Sequence, residues 1–170
     1  MLRTLYLVRH AKSSWTDMTL GDFDRPLNSR GLRDAPEMGR RMKLRNIRPD
    51  LVLCSPARRT RQTVELLLRE LGVSNAAVQF VEAIYEASIA DLLHLVRSIP
   101  DPVNSAMIVG HNPSIGCLVD QLSGQRLERM PTCAVATLEA DTDHWKAFGS
   151  QTARLIDFDY PRRSADSSGL

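Results

Sequence analysis

Residues 4–10 read TLYLVRH, an apolar run that ends abruptly in an arginine and a histidine. Residues 4–8 are β-branched or apolar over the usual length of a strand, so they predict a buried β-strand. Arg9 and His10 then lie at its carboxyl end, which is where ligands bind if the strand belongs to a parallel sheet.

Two further apolar runs lead into polar clusters in the same way. Residues 51–54 (LVLC) are followed by residues 55–59 (SPARR), and residues 106–109 (AMIV) are followed by residues 110–113 (GHNP). Because the carboxyl ends of parallel strands share one edge of a sheet, we expect the three clusters to converge in space.

Helical patterns fill the gaps between these runs. The apolar spacing predicts helices over residues 29–45, 55–71, 88–99 and 114–122, with further strands at residues 78–81, 134–140 and 153–158. Leu32, Ala35, Met38 or Gly39, and Met42 mark the buried face of the first helix, and Pro36 must lie in its first turn or kink it. Gly72 should stop the second helix, and Ser88 with Asp91 should cap the third.

This alternation predicts an α/β fold, a three-layer α/β/α sandwich with a largely parallel central sheet. The chain has 170 residues, and no linker divides it. We therefore expect a single domain over residues 1–160 and a disordered polar tail over residues 161–170.

Bulk properties exclude several functional classes. The formal net charge of +2 gives no general case for nucleic acid binding. No apolar run approaches the roughly 20 residues that span a bilayer, and the N-terminal run is too short for a signal peptide. The three cysteines are odd in number and form no CxxC pair, which favours reduced thiols in a cytoplasmic protein. Nothing in the sequence indicates an oligomeric state.

The strand-end clusters carry groups suited to phosphoryl transfer. A neutral histidine such as His10 is a good nucleophile if one ring nitrogen faces phosphorus and a carbonyl in the following loop holds the other. Arg9 and Arg59 are placed to neutralise phosphoryl oxygens, and His111 would add a donor if protonated. A lone histidine at a strand end is more often structural, so the prediction depends on the three clusters together.

Taken together, these segments resemble the histidine phosphatase (phosphoglycerate mutase-like) superfamily. That family has a strand followed by Arg-His-Gly, a Ser-Pro-x-x-Arg-Ala-x-Gln-Thr helix start and a later Gly-His. Here residues 9–11 read RHA, residues 55–63 read SPARRTRQT, and residues 110–111 read GH. Residues 24–28 (DRPLN), with Gly31, match the family's Pro-Leu-Thr-x-x-Gly turn.

The resemblance implies a role for each matching residue. His10 would be the phosphorylated nucleophile, Arg9 and Arg59 would bind the phosphoryl group, and His111 would complete the pocket. Arg58 would be a rim or surface residue. The chain would then be a histidine-type phosphatase that acts through a phosphohistidine intermediate.

The chain departs from the family pattern at two places. Ala11 replaces the usual glycine, and as a small residue it still permits close backbone approach. Glu82 stands where many members carry the general acid, but the Gly-rich turn that follows in those members is absent. Glu82 is therefore either the acid or a solvated glutamate, and Glu86 is a weaker rival.

The loop after the nucleophile adds further candidates. Ser13 and Arg25 are candidate substrate-binding residues, with an ordinary polar loop role as the alternative. Lys12 is a candidate rim cation. Trp15 is interpreted as a loop anchor rather than a contact for a protein substrate.

The short chain and the doubtful acid look like the compact SixA branch, which is associated with phosphohistidine on signalling proteins. The predicted partner is therefore a phosphorylated protein. The alternatives are a phosphatase of small phosphoesters such as sugar phosphates, or a non-catalytic phospho-binding module. The arginines supply positive charge, so we expect no cofactor and no metal, activity that survives a chelator, and inhibition by vanadate or tungstate.

Overall fold

The computed structural model describes residues 1–163 of the chain. Six strands and four helices alternate along this part of the chain. The strands are β1 (Leu2–Arg9), β2 (Leu51–Cys54), β3 (Val78–Phe80), β4 (Ser105–Gly110), β5 (Val135–Asp141) and β6 (Ala153–Asp159). The helices are α1 (Ser29–Leu44), α2 (Arg58–Leu71), α3 (Ile89–Arg97) and α4 (Ser114–Ser123).

All six strands form one sheet in the order β3-β2-β4-β1-β5-β6. The first four of these run parallel to one another, whereas β5 pairs antiparallel with both β1 and β6. The predicted largely parallel sheet is confirmed. Because β2, β4 and β1 are neighbours, the polar clusters that follow them lie at one edge of the sheet.

Helices cover both faces of the sheet, and β1 shows how. Leu5 and Leu7 pack into the apolar cluster that contains residues of α3 and α4. Tyr6 and Val8 point the other way, into the cluster formed with α1 and α2. Side chains alternate between the faces of a strand, so a strand covered on both sides is apolar throughout. Residues 4–8 form a continuous apolar run for this reason.

The first helix differs from its prediction in two details. Pro36 lies inside α1, beyond its first turn, and the helix continues through it. Leu32, predicted to be buried, is exposed, whereas Gly39 is buried. A Cβ at Gly39 would lie 2.8 Å from the Glu70 Cβ, so glycine lets α1 and α2 approach closely. Helix contact here is made by backbone proximity, which an apolar stripe does not reveal.

The remaining boundaries follow the sequence closely. Gly72 ends α2 in the left-handed conformation, and Ser88 and Asp91 form the predicted capping box of α3. Residues 161–163 of the predicted tail form a turn, and the Arg41 guanidinium donates to the carbonyl of Pro161. Residues 164–170, the rest of that predicted tail, lie outside the described residues. Within residues 1–163, no helix has the length and apolar character needed to cross a bilayer.

Candidate active site

His10 is the first residue after β1 and lies on the floor of the site, with 8% of its surface exposed. Its Nδ1 is 2.7 Å from the carbonyl oxygen of Ala11. Because a carbonyl can only accept, Nδ1 carries the proton and Nε2 keeps a free lone pair in the neutral ring. Burial, with smaller contributions from neighbouring charges, lowers the pKa of His10 to about 3. The ring is therefore neutral at pH 7, in the tautomer that nucleophilic attack requires.

Ala11, whose carbonyl holds the His10 ring, is itself held by α2. The N–H of Ala11 donates to Thr63 Oγ1 at 3.0 Å, and the same hydroxyl donates to the Arg59 carbonyl at 2.7 Å. Thr63 is fully buried. One side chain thus ties the loop after β1 to the helix that carries Arg59. The sequence pattern contained Thr63 but gave no reason to assign it this position.

Arg59 and His111 meet above His10. The NH2 of Arg59 is 3.3 Å from His111 Nδ1, which must accept because a guanidinium only donates. His111 Nε2 then carries the proton and lies 2.7 Å from the hydroxyl of Ser55. Burial and the Arg59 charge lower the pKa of His111 to about 4, so this ring is also neutral at pH 7. The extra donor predicted for a protonated His111 is therefore absent from this state of the pocket.

The rings of His10 and His111 lie side by side, with centroids 5.3 Å apart. Arg9, the last residue of β1, donates through NH1 to the Met130 carbonyl at 3.0 Å. Asn112 donates to the same carbonyl at 2.9 Å. The structure thus brings the three predicted strand-end clusters together, as the sheet order requires.

Asp22 is a part of the site that the sequence reasoning missed. Its Oδ2 accepts from the Arg59 NH2 at 3.0 Å and from the Tyr85 hydroxyl at 2.7 Å. Its Oδ1 accepts from the Nε and NH2 of Arg25, at 3.2 and 3.1 Å. Partial burial acts to raise its pKa, but the Tyr85 hydrogen bond and the two arginines outweigh this and lower the pKa to about 2. Asp22 is therefore ionised. It begins a 3-10 helix of only three residues, Asp22–Asp24, which no sequence pattern marked.

Ser13 and Arg25, the two candidate substrate-binding residues, are connected to the site by hydrogen bonds that lead to Asp22. Arg25 is buried, pairs with Asp22 and donates to the Ser13 hydroxyl at 2.7 Å. Its guanidinium carbon lies 3.5 Å from the ring centroid of Trp15. Trp15 is 67% exposed, and its ring covers the Arg25 guanidinium. Lys12 contributes its main chain, whose carbonyl accepts from the N–H of Asn28.

The two glutamates proposed as general acid are not brought into the cluster. Glu82 and Glu86 are both exposed. Within residues 1–163, no hydrogen bond or ion pair joins the Glu82 carboxylate to another side chain. Tyr85, which lies between them, is the residue that turns inward, with its ring 5.6 Å from that of His111. Among the described residues, no group of three or more His, Cys, Asp or Glu is arranged to hold a metal ion.

Comparison with known proteins agrees with this geometry. The model of the histidine phosphatase superfamily (branch 1) matches residues 5–101. The chain belongs to this superfamily. An uncharacterized protein of Mycobacterium tuberculosis is 32% identical over 165 residues, which cover 91% of this chain and 100% of the relative.

Two solved structures share the fold over nearly the full length of both chains. The protein from Agrobacterium tumefaciens assigned as the phosphohistidine phosphatase SixA is 32% identical, with a TM-score of 0.80, covering 94% of this chain and 98% of its own. The Nakamurella protein with the same assignment is 27% identical, with a TM-score of 0.83, covering 95% and 97%. These relationships identify the protein as a histidine-type phosphatase.

Proposed function

We propose that this phosphatase removes the phosphoryl group from phosphohistidine on a protein, with His10 as the nucleophile. The observation that carries the proposal is the state of the carboxylates around the pocket. No described carboxylic acid combines contact with the pocket and a proton to donate. Asp22 hydrogen-bonds to Arg25 and Arg59 but is ionised, with a pKa of about 2. Glu82 is exposed and hydrogen-bonds to no described side chain.

This arrangement matters because leaving groups differ in their need for a proton. An alcohol leaves a phosphoester as a strongly basic alkoxide unless an acid protonates it in the transition state. An imidazole that is already protonated on its other ring nitrogen leaves phosphorus as a neutral molecule. A pocket without a poised acid therefore favours the P–N bond of phosphohistidine over the P–O bond of an alkyl phosphate.

The chemistry proceeds in two displacements. The Nε2 lone pair of His10 forms a bond to phosphorus while the P–N bond to the substrate breaks, and its electron pair goes to the departing imidazole. Arg9 and Arg59 contact the phosphoryl oxygens, where charge accumulates. Water then attacks the phosphorus on His10, and the P–Nε2 bond breaks with its electron pair returning to Nε2. Inorganic phosphate is released, and a proton of the attacking water passes to solvent. The Ser13 hydroxyl accepts a hydrogen bond from Arg25 and helps to hold that guanidinium in place.

The relatives support the same substrate class. Both solved structures described above carry a phosphohistidine phosphatase assignment, and the similarity covers almost the whole chain. This support is independent of the argument from the missing acid.

The test compares a histidine peptide phosphorylated with phosphoramidate and the same peptide carrying phosphoserine. We expect kcat/KM for the phosphohistidine peptide to exceed that for the phosphoserine peptide by about 100-fold or more. Faster turnover of the phosphoserine peptide, or of a sugar phosphate, would contradict the proposal.

The variant Glu82→Gln tests the alternative that the substrate is a small phosphoester. Glu86→Gln is its matched control. If phosphohistidine is the substrate, both variants should retain wild-type turnover of the phosphohistidine peptide. A selective loss of phosphoester turnover in Glu82→Gln would instead identify Glu82 as an acid for that chemistry. Phosphopeptide binding without turnover of either peptide would favour the non-catalytic module.

A further inference from the structure

The charged side chains that act on the His111 ring carry two net positive charges. Arg9, Arg25 and Arg59 are cationic, Asp22 is anionic, and the two histidines are neutral. The same four charged side chains are the ones that perturb the His111 ring electrostatically. A phosphoryl group in its dianionic form carries two negative charges, so one such group matches the pocket and leaves no positive charge unbalanced.

The Asp22 side chain is much more exposed than the ring of His10. It is 48% exposed at the mouth of the site, whereas His10 is buried on the floor. In an in-line displacement the leaving group faces away from the nucleophile. The part of the substrate that bears the phosphoryl group therefore points toward the mouth, past the Asp22 carboxylate.

The carboxylate is also fixed in place. Four hydrogen bonds hold its two oxygens, two from Arg25 and one each from Arg59 and Tyr85. A fifth contact holds the main chain, where the Arg59 NH1 donates to the Asp22 carbonyl at 2.7 Å. Phe23, the next residue, packs edge-on against Tyr85 with centroids 5.1 Å apart. A substrate therefore meets a negative charge that is held at this position.

We propose that Asp22 is a specificity-determining residue, whose charge disfavours substrates that carry a second anionic group beside the phosphoryl group. The inference rests on the proposed function, since it explains how the same pocket favours a neutral or cationic leaving group such as imidazole. A carboxylate or second phosphate at the mouth would be repelled by the Asp22 carboxylate. A protonated imidazole would be attracted to it.

The test measures binding, so it does not depend on which substrate is turned over. Glycerol 3-phosphate and 3-phosphoglycerate differ mainly by a hydroxymethyl group in place of a carboxylate. Titration calorimetry on the full chain should show tighter binding of glycerol 3-phosphate. In Asp22→Asn the ratio of the two dissociation constants should shift toward 3-phosphoglycerate by about fivefold, the size expected for one charge at close range in a solvated mouth.

Two matched variants isolate the charge of Asp22. Asp24→Asn makes the same charge change on the same loop, at an exposed carboxylate that pairs with none of the three arginines, and should leave the ratio unchanged. Tyr85→Phe removes one hydrogen bond to Asp22 without removing charge, and should also leave it unchanged.

A ratio in Asp22→Asn that stays within about twofold of wild type would overturn the inference. An equal shift in Asp24→Asn would overturn it too, because the effect would then reflect overall charge. Failure of both compounds to bind the wild-type protein would contradict the two-charge pocket itself. A normal ratio shift together with preferred phosphoserine turnover would retain the role of Asp22 and reject only the proposed phosphohistidine substrate.

Discussion

The two ends of the sheet each bury an arginine, and the partners of these arginines differ. Arg3, near the start of β1, is 2% exposed, and its terminal nitrogens donate to the main-chain carbonyls of Asp101, Val103 and Asp143. At the opposite end of the sheet, Arg59 of α2 is almost as buried. Its NH1 also donates to a main-chain carbonyl, that of Asp22, but its NH2 donates to the half-exposed Asp22 carboxylate and to His111.

The difference separates a structural arginine, Arg3, from Arg59, for which we propose a binding role. The main-chain carbonyls that bind Arg3 cannot move away unless the turns that contain them unfold. The Arg3 guanidinium therefore cannot turn to bind a ligand. The side chains that contact Arg59 can give way to a phosphoryl oxygen. Arg9 keeps one open group, because its NH1 donates to the Met130 carbonyl but no described residue accepts a hydrogen bond from its NH2. A terminal nitrogen that a substrate can reach therefore tells more about function than the extent of burial.

The largest effect should come from removing His10, the proposed nucleophile, at the active-site end of the sheet. His10→Ala should lower kcat/KM by about 10⁴-fold or more and abolish acid-labile labelling of the enzyme with phosphate. His144→Ala replaces an exposed histidine near Arg3. It is the control and should retain full activity. Labelling that persists in His10→Ala would break the distinction between the two ends.

Replacing Arg59 should mainly lower activity, whereas replacing Arg3 should mainly lower stability. Arg59→Ala should lower kcat/KM by about 10²- to 10³-fold, with little change in the free energy of unfolding. Arg3→Ala should retain kcat within about twofold but lose about 3 kcal/mol of stability, since buried carbonyls lose their donors. Steady-state kinetics and urea unfolding of both variants measure this. Equal loss of stability in both would remove the contrast.

The buried histidines of the active-site end should make stability depend on pH. Unfolded histidines protonate near pH 6.5, whereas native His10 and His111 stay neutral down to about pH 3 and 4. Between these values the unfolded state binds more protons. The free energy of unfolding should therefore fall, as pH drops from about 6.5 to 4.5, by about 1.4 kcal/mol per pH unit for each histidine.

Urea unfolding at several pH values checks this dependence. His111→Asn should reduce the slope by about half, since one of the two contributions is removed. Asp22 does not interfere in this window, because its pKa is already lowered to about 2. A wild-type stability that is flat between pH 7 and pH 4.5 would show that the two rings are not neutral by burial.

The smallest effect concerns the residue that links the two parts of the site. Thr63→Val removes the acceptor for the Ala11 N–H and should lower kcat by about tenfold, with little change in KM. Thr60→Val is the matched control, because Thr60 is also fully buried in α2 but donates to the carbonyls of Ser55 and Ala57. Similar losses of kcat in both would indicate that α2 is merely destabilised.

Local patterns were sufficient for much of this architecture. Apolar runs and helical spacing depend on burial of neighbouring residues, so they predicted the strands, the four helices and the edge where the polar clusters meet. Contacts between residues that are far apart in sequence and away from the strand ends were not predicted. Asp22 and Tyr85 are 63 positions apart, and neither stands at a strand end.

The sequence by itself therefore determined the fold class, the superfamily and the residues that converge on the pocket. Only the tertiary structure decided the tautomers of His10 and His111, the exposure of Glu82 and Trp15, and the place of Asp22 among the arginines. The physical reason is that hydrophobic burial repeats along the chain with a short period. Charge pairing and proton position depend instead on loops whose approach is set by the complete packing of the sheet and helices.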